Sequence, residues 1–344
     1  ITGSSALRRF TTTNQFIANG QVGALANYVN NTANLAGLPG GLLRNGKFPE
    51  NFIVVNPQFG SVGLVSNNGN STYHSFTAHI QKRLTNGLTG QASYVFSKNL
   101  GDAAIRDQNN LRLSKTLLPN DRPHVIQEDV SYSLPFGKGA KYFTNAPGWL
   151  DQIVSGWNLA SGANWSSGSP LTFTGLNTLN QFGTGTADLV GALPADYQQI
   201  VKIGNQVNYF PSLTTATVAQ RPGILPNFGT GADAATLAGR FTNQVVVDSN
   251  GNVVIANSTP GRAGNTAINM AGLRGPGQLS FNGALGKAFK ITERKTITLR
   301  ADAVNLLNKP QWGNPNTNIN GTSFGRVTTA TGNRVITFNA RFDF

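Results

Sequence analysis

The chain contains no cysteine. That rules out a disulfide-stapled scaffold and any thiolate metal site, and it fits an oxidising envelope compartment. Acidic residues are scarce too, 14 against 27 Lys and Arg, and charged residues make up only 12% of the 344. A soluble domain carries about 25% charged and about 45–50% apolar residues; here the apolar share is 39%. Such a chain avoids ions without being greasy throughout, the profile of strands that alternate apolar and polar residues in a membrane barrel. Long apolar runs are also missing: none approaches the ~18–20 residues of a spanning helix. The opening stretch ITGSSALRRFTTTNQF has no apolar core segment and is not a signal peptide. For a secreted or outer-membrane protein, the expectation is then that the true N-terminus lies upstream of Ile1.

What is present narrows the field further. With 20 Phe, 7 Tyr and 4 Trp, the chain is too aromatic to be disordered. Its net charge of +13 suggests nucleic acid, but a nucleic-acid binder gathers its cations on one face. Here they are scattered, at Arg83, Lys98, Arg106, Arg122, Lys138, Arg221, Arg262, Arg300 and Arg341. Anionic lipid headgroups and lipopolysaccharide are the simpler partners, and nucleic acid is not expected.

Period-two alternation marks strands with one apolar face. Over 72–84, Phe76, Ala78, Ile80 and Leu84 share one face and Ser75, Thr77, His79, Gln81 and Arg83 the other. Asn86-Gly87 follows, a strong hairpin signal because both residues tolerate positive φ. The return strand over 88–97 sets Leu88, Ala92, Tyr94 and Phe96 against Thr89, Gln91, Ser93 and Ser97. The same reading predicts strands at 124–134, 152–165, 278–289, 295–306 and 335–344. In the last, Ile336, Phe338, Ala340, Phe342 and Phe344 oppose Thr337, Asn339, Arg341 and Asp343. A small hairpin turning at Asn250-Gly251 is expected within 245–255; 166–277 otherwise reads as loop. Residues 1–10 and 52–64 are candidates for a further strand that the sequence leaves undecided.

A soluble β-sandwich would also alternate, but with short connections at both ends. Here the predicted connections are short or moderate at 85–87, 135–151 and 290–294 and long at 98–121, 166–277 and 307–334. Short turns on one side and long, extracellular loops on the other are the outer-membrane arrangement. About ten residues at ~3.3 Å rise and ~40–45° tilt cross roughly the ~25 Å apolar band. The fold class expected is therefore all-β, a transmembrane antiparallel barrel with large loops, 1–71 being a loop with a possible strand and 72–344 the barrel portion.

Several segments in order resemble the Oar-like TonB-dependent receptors: STYHSFTAHIQKRLTNGLTGQASYVFSKNL (71–100), DRPHVI with SYSLPFGKG (121–139), GWNLASGANWSSGSPLTF (156–173), LRGPGQLSFNGALGKAFKITERKTITLRADAVNLLNKPQWGNPNTNI (273–319) and SFGRV (323–327). The resemblance implies a barrel of about 22 strands, of which this chain would supply the C-terminal portion, about seven strands. It also implies an upstream plug domain, a TonB complex engaged by residues outside this chain, and an extracellular ligand. Phe338, Phe342 and Phe344 resemble the signal read by the barrel-assembly machinery. Glu128 departs from the pattern. It falls on the outward phase of its strand with Ile126, Val130, Tyr132 and Leu134, so either a bulge re-phases the strand or Glu128 sits higher in the membrane.

Chemical motifs are sparse. His74 and His79 lie on opposite faces of one strand and cannot share a metal; with His124 they read as solvated or rim histidines. GTGADA (229–234) matches GxGxxA, but no strand precedes it. Arg300, Asp302, Arg341 and Asp343 are lumen-facing candidates, reading either as a locally satisfied wall or as contacts for a plug or polar substrate. Trp149, Trp157 and Trp165 suit interfacial girdles, Trp165 alternatively touching ligand. No nucleophile–base pair or cofactor motif stands out, so neither an enzyme nor a cofactor is expected. The functional expectation is TonB-dependent uptake of a bulky ligand; a passive porin and an adhesion or secretion barrel are the alternatives.

Overall fold

The structure, a computed structural model, describes residues 65, 67, 69–102, 104–107, 110–176, 185–218, 243–258, 263–292 and 294–344. The strand candidates at 1–10 and 52–64, the GTGADA stretch, Arg221 and Arg262 lie outside them. Seven long strands carry the architecture: β1 (Ser71–Thr85), β2 (Leu88–Asp102), β3 (His124–Ser133), β4 (Trp157–Ser166), β5 (Gln278–Lys290), β6 (Thr296–Val304) and β7 (Val335–Asp343). They form one antiparallel sheet in which each strand pairs with its neighbours in sequence. All seven predicted strands are there. Asn86 (φ 52°) and Gly87 (φ 80°) make the two-residue turn between β1 and β2, and a Cβ on Gly87 would lie 2.4 Å from the Ser133 carbonyl oxygen. Both backbone demands explain the Asn-Gly pair.

Two boundaries differ from expectation by five residues, and the others agree within two. The strand expected at 152–165 begins only at Trp157, because Gly148–Val154 forms a short helix, α1. Trp149, Leu150, Ile153 and Val154 recur at helical as well as alternating positions, an ambiguity that short apolar segments cannot resolve. Gly156 (φ 69°) follows the helix and turns the chain into β4. Strand β2 also continues to Asp102, because Leu100, Gly101 and Asp102 pair with a short strand at Lys115–Leu117.

The connections at one end of the sheet are 86–87, 134–156 and 291–295; at the other they are 103–123, 167–277 and 305–334. The long ones are not loose. Their described parts include eleven further short strands, and Phe173, Phe210, Leu273, Ile319 and Ile255 are completely buried among them. Phe173, Phe210 and Phe324 pack ring against ring, with centroids 5.4–6.2 Å apart. The expected hairpin within 245–255 is present, Asn243–Val247 pairing with Val253–Ala256. In its described parts, the predicted loop of 166–277 is therefore a folded cap with a core of its own.

That core sits at the end of the sheet, not beneath it. Phe76 (63% exposed), Ile80 (74%) and Phe338 (80%) lie on the apolar face, and no described residue covers them. A sandwich would bury that face against a second sheet. Among the described residues no helix is long and apolar enough to cross a membrane.

Candidate functional site

The strand registers assemble two chemically distinct faces. On one, Ile80, Ala92, Glu128, Ala163 and Phe281 lie in a cross-strand row, and Leu159, Leu285, Ala301 and Phe338 in another. On the opposite face stand Thr77, His79, Gln91, Ser93, Asp129, Asn158, Asn164, Asn282, Arg300 and Asn339. Small residues at Gly283, Ala301 and Ala303 leave a furrow of about 560 Å³ in the apolar face. The Leu306 side chain lies where a Gly283 Cβ would point, its Cδ2 2.9 Å away.

Glu128 keeps its place on the apolar face. Pairing runs without a shift from Leu88–Tyr132 to Phe96–His124, so no bulge re-phases the strand. The residue is fifth of ten in β3 and thus not displaced toward an end. Ser161 on β4 donates its hydroxyl to Glu128 Oε1 at 2.9 Å, while the flanking Ala92 and Ala163 leave the carboxylate room.

Lys287 on the same face escaped the sequence reading, although its phase with Leu285 and Phe289 marks it. It is 5% exposed. Its ammonium donates to the Ser155 carbonyl and lies 4.7 Å and 5.6 Å from the ring centroids of Phe289 and Trp157. The stem thus lies among apolar groups while the charge reaches the short-turn rim, the usual solution for a long cation on such a surface.

The lumen-facing candidates meet only in part. Arg300 pairs with Asp302 at 2.7 Å and Arg341 with Asp343 at 2.7 Å, each within its own strand. Asn339 Nδ2 on β7 donates to Asp302 Oδ2 at 3.1 Å, the one link to these charges across strands among the described residues. These charges satisfy one another locally.

The three tryptophans fall at the two ends of the sheet. Trp149 lies in α1, 70% exposed; Trp157 opens β4, its indole N–H donating to the Ile153 carbonyl at 2.8 Å. Trp165 lies eight residues further along β4, roughly 26 Å at ~3.3 Å per residue. Phe342 and Phe344 stack at the short-turn end with centroids 5.8 Å apart, and Phe338 shares their face. His124 stacks on Tyr94, with centroids 6.0 Å apart and the Tyr94 hydroxyl 2.8 Å from Nδ1, and its ring lies tilted against Phe96 at 5.3 Å. Among the described residues no cluster of three His, Asp or Glu is placed to hold a metal.

Where cap meets sheet, Asp121 is 1% exposed. It accepts from the backbone N–H of Asn99 at 2.6 Å and from Arg274 Nη2 at 2.7 Å, tying 103–123 to 167–277. Nothing local in the sequence announces this pair, whose members are 153 residues apart. Burial, with Arg274 nearby adding repulsion and Asp121 opposing it, holds the Arg122 guanidinium below its ordinary pKa. Deeper in the cap, burial pushes the Tyr209 hydroxyl up to about 12, with Tyr197 adding to the effect; Tyr209 donates to the Arg274 carbonyl at 2.8 Å.

An antiparallel sheet with an uncovered apolar face, a polar opposite face, tight turns at one end and a folded cap at the other is the wall of a membrane-spanning β-barrel. The chain belongs to the outer membrane beta barrel domain family, whose model matches residues 6–337. No curated protein and no solved structure matches it. Membership places the protein in the bacterial outer membrane.

Proposed function

We propose that the chain is the C-terminal portion of a TonB-dependent receptor, a plugged barrel of about 22 strands that takes up a scarce, bulky ligand. The observation that carries this reading is the cap: two long connections, 167–277 and 305–334, fold round a shared aromatic core at one end of the sheet. An ordered layer of this kind is suited to holding a ligand at the mouth of a polar-walled lumen, which a freely permeable channel would not need. The segmental resemblance to Oar-like receptors supports it. The cap is then extracellular, Trp157 and Trp165 belong to the two interfacial girdles, and lipid and lipopolysaccharide surround the apolar face. The polar face carries Arg300, Asp302, Arg341 and Asp343 toward an upstream plug. The terminal aromatics Phe338, Phe342 and Phe344 address the barrel-assembly machinery. No catalysis or cofactor enters this reading.

A lumen of that width leaks unless plugged, and moving ligand past the plug takes work that only an energised partner supplies. In cells expressing the full-length gene product, deleting TonB should therefore stop uptake while surface binding persists. Uptake that survives the deletion would identify a passive channel. Binding without uptake in either strain would identify an adhesion or secretion barrel.

A further inference from the structure

Where the cap joins β4 and β5, a cleft of about 290 Å³ lies between Arg122, Ser169, Gln278, Gln311, Trp312 and Asn314. Thr329 and Thr331 add hydroxyl-bearing side chains to its lining, which contains no carboxylate. The volume is at the small end of ligand pockets, which span roughly 300–1,000 Å³, and suits one compact polar molecule.

The cleft is built rather than incidental. Gln311 accepts from the Leu279 N–H at 2.7 Å and donates to the Leu279 carbonyl, so its amide continues the ladder along β5 beyond the end of β6. Gln278 donates to the Trp312 carbonyl at 2.8 Å, and Asn314 bonds the Ser169 hydroxyl. Trp312 also packs against the buried core of the cap, which fixes it. Gln278 belongs to the polar face, so the cleft is associated with the prospective lumen side rather than the lipid side.

Its electrostatics are one-sided. Two guanidiniums meet a single carboxylate: Asp121 is paired with Arg274, which also donates to the Gly168 carbonyl in the cleft wall at 3.2 Å. Among the described residues Arg122 bonds only neutral oxygens, the Pro119 and Asp121 carbonyls, at 3.1 and 2.9 Å. One positive charge is thus uncompensated beside a lining of amides, hydroxyls and an indole. Gln278 and Gln311 give their amide N–H groups to backbone carbonyls, so their oxygens serve as acceptors while the threonine hydroxyls both donate and accept, as sugar hydroxyls require; an indole offers a flat apolar surface with a polar tip; a guanidinium recognises a carboxylate.

We propose that this cleft binds an acidic sugar, its carboxylate on Arg122 and its hydroxyls on the surrounding amides and threonines. The proposal rests on the ligand-uptake reading for its biological role, but binding is measurable without TonB, so the two fail separately. The experiment is calorimetric titration of the full-length protein in nanodiscs with D-glucuronate, D-glucose and inorganic phosphate. Glucuronate should bind at least about tenfold more tightly than either comparison ligand. Arg122→Gln should weaken it about tenfold and Arg122→Lys less. Thr331→Tyr, which crowds the cleft with Arg122 intact, should abolish binding without changing the thermal melting of the protein. Equal affinity for glucuronate and glucose, no detectable glucuronate binding, or unchanged binding in a folded Thr331→Tyr variant would overturn the assignment. Phosphate bound as tightly as glucuronate would also overturn it, leaving a simple anion site.

Discussion

At Glu128 an ionisable group stands on a lipid-facing surface midway along its strand. Lys or Arg at the midplane of such a face is unfavourable by about 2–4 kcal/mol, and a carboxylate by less. Among the described residues the hydroxyl of Ser161 supplies the one hydrogen bond that eases it. Glu128→Leu should therefore stabilise the reconstituted barrel against urea by roughly 1–2 kcal/mol. Ser161→Ala, which leaves the acceptor unpartnered, should destabilise it by about 1–3 kcal/mol. Two changes of the same sign would refute this account of the pair. The sequence reveals the phase of Glu128, because strand alternation fixes it from neighbours alone. Ser161 is not legible there, since it lies 33 residues away and meets Glu128 only through the register of β3 on β4. Arg122 and the Asp121–Arg274 pair were illegible for the same reason: their environment is made by segments the fold brings together from far apart.

Elements divide along the same physical line. Long strands announce themselves because one face after another repeats every second residue, and Asn86-Gly87 announces its turn because so few pairs accept positive φ twice. The cap strands are mostly two to five residues long, too short for a period to register. Their burial depends on Phe173, Phe210 and Phe324 converging from separate stretches of chain. The opposite ends of the sheet also make a topological prediction. Protease added to intact cells should cut at the exposed hairpin tip 249–252 and leave 86–87 and 291–295 untouched. Cleavage at Asn86–Gly87 from outside would reverse the orientation assigned to the sheet.

On the scale of the whole molecule, stability has two seats. The cap holds a conventional buried core, while the sheet holds almost none and depends on lipid to cover its apolar face. Assembly in the membrane is thus part of folding, and the exposed terminal aromatics lie at the short-turn end. Deleting Phe344, which is 91% exposed, from the full-length product should lower the yield of heat-modifiable barrel in the outer membrane; unchanged yield would remove its role as an assembly signal. The central claim is that the Phe281, Leu285 and Phe338 face meets lipid and the Asn158, Asn164 and Asn282 face meets water. The absence of native cysteine from these residues permits a direct test: single nitroxide labels at successive positions of β4 and β5 in the reconstituted full-length protein, with collision rates for oxygen and for a water-soluble nickel complex. Labels at Leu159, Ala163, Phe281 and Leu285 should favour oxygen and those at Asn158, Asn164, Ser280 and Asn282 nickel, alternating residue by residue, whereas a uniform or inverted pattern would contradict the account.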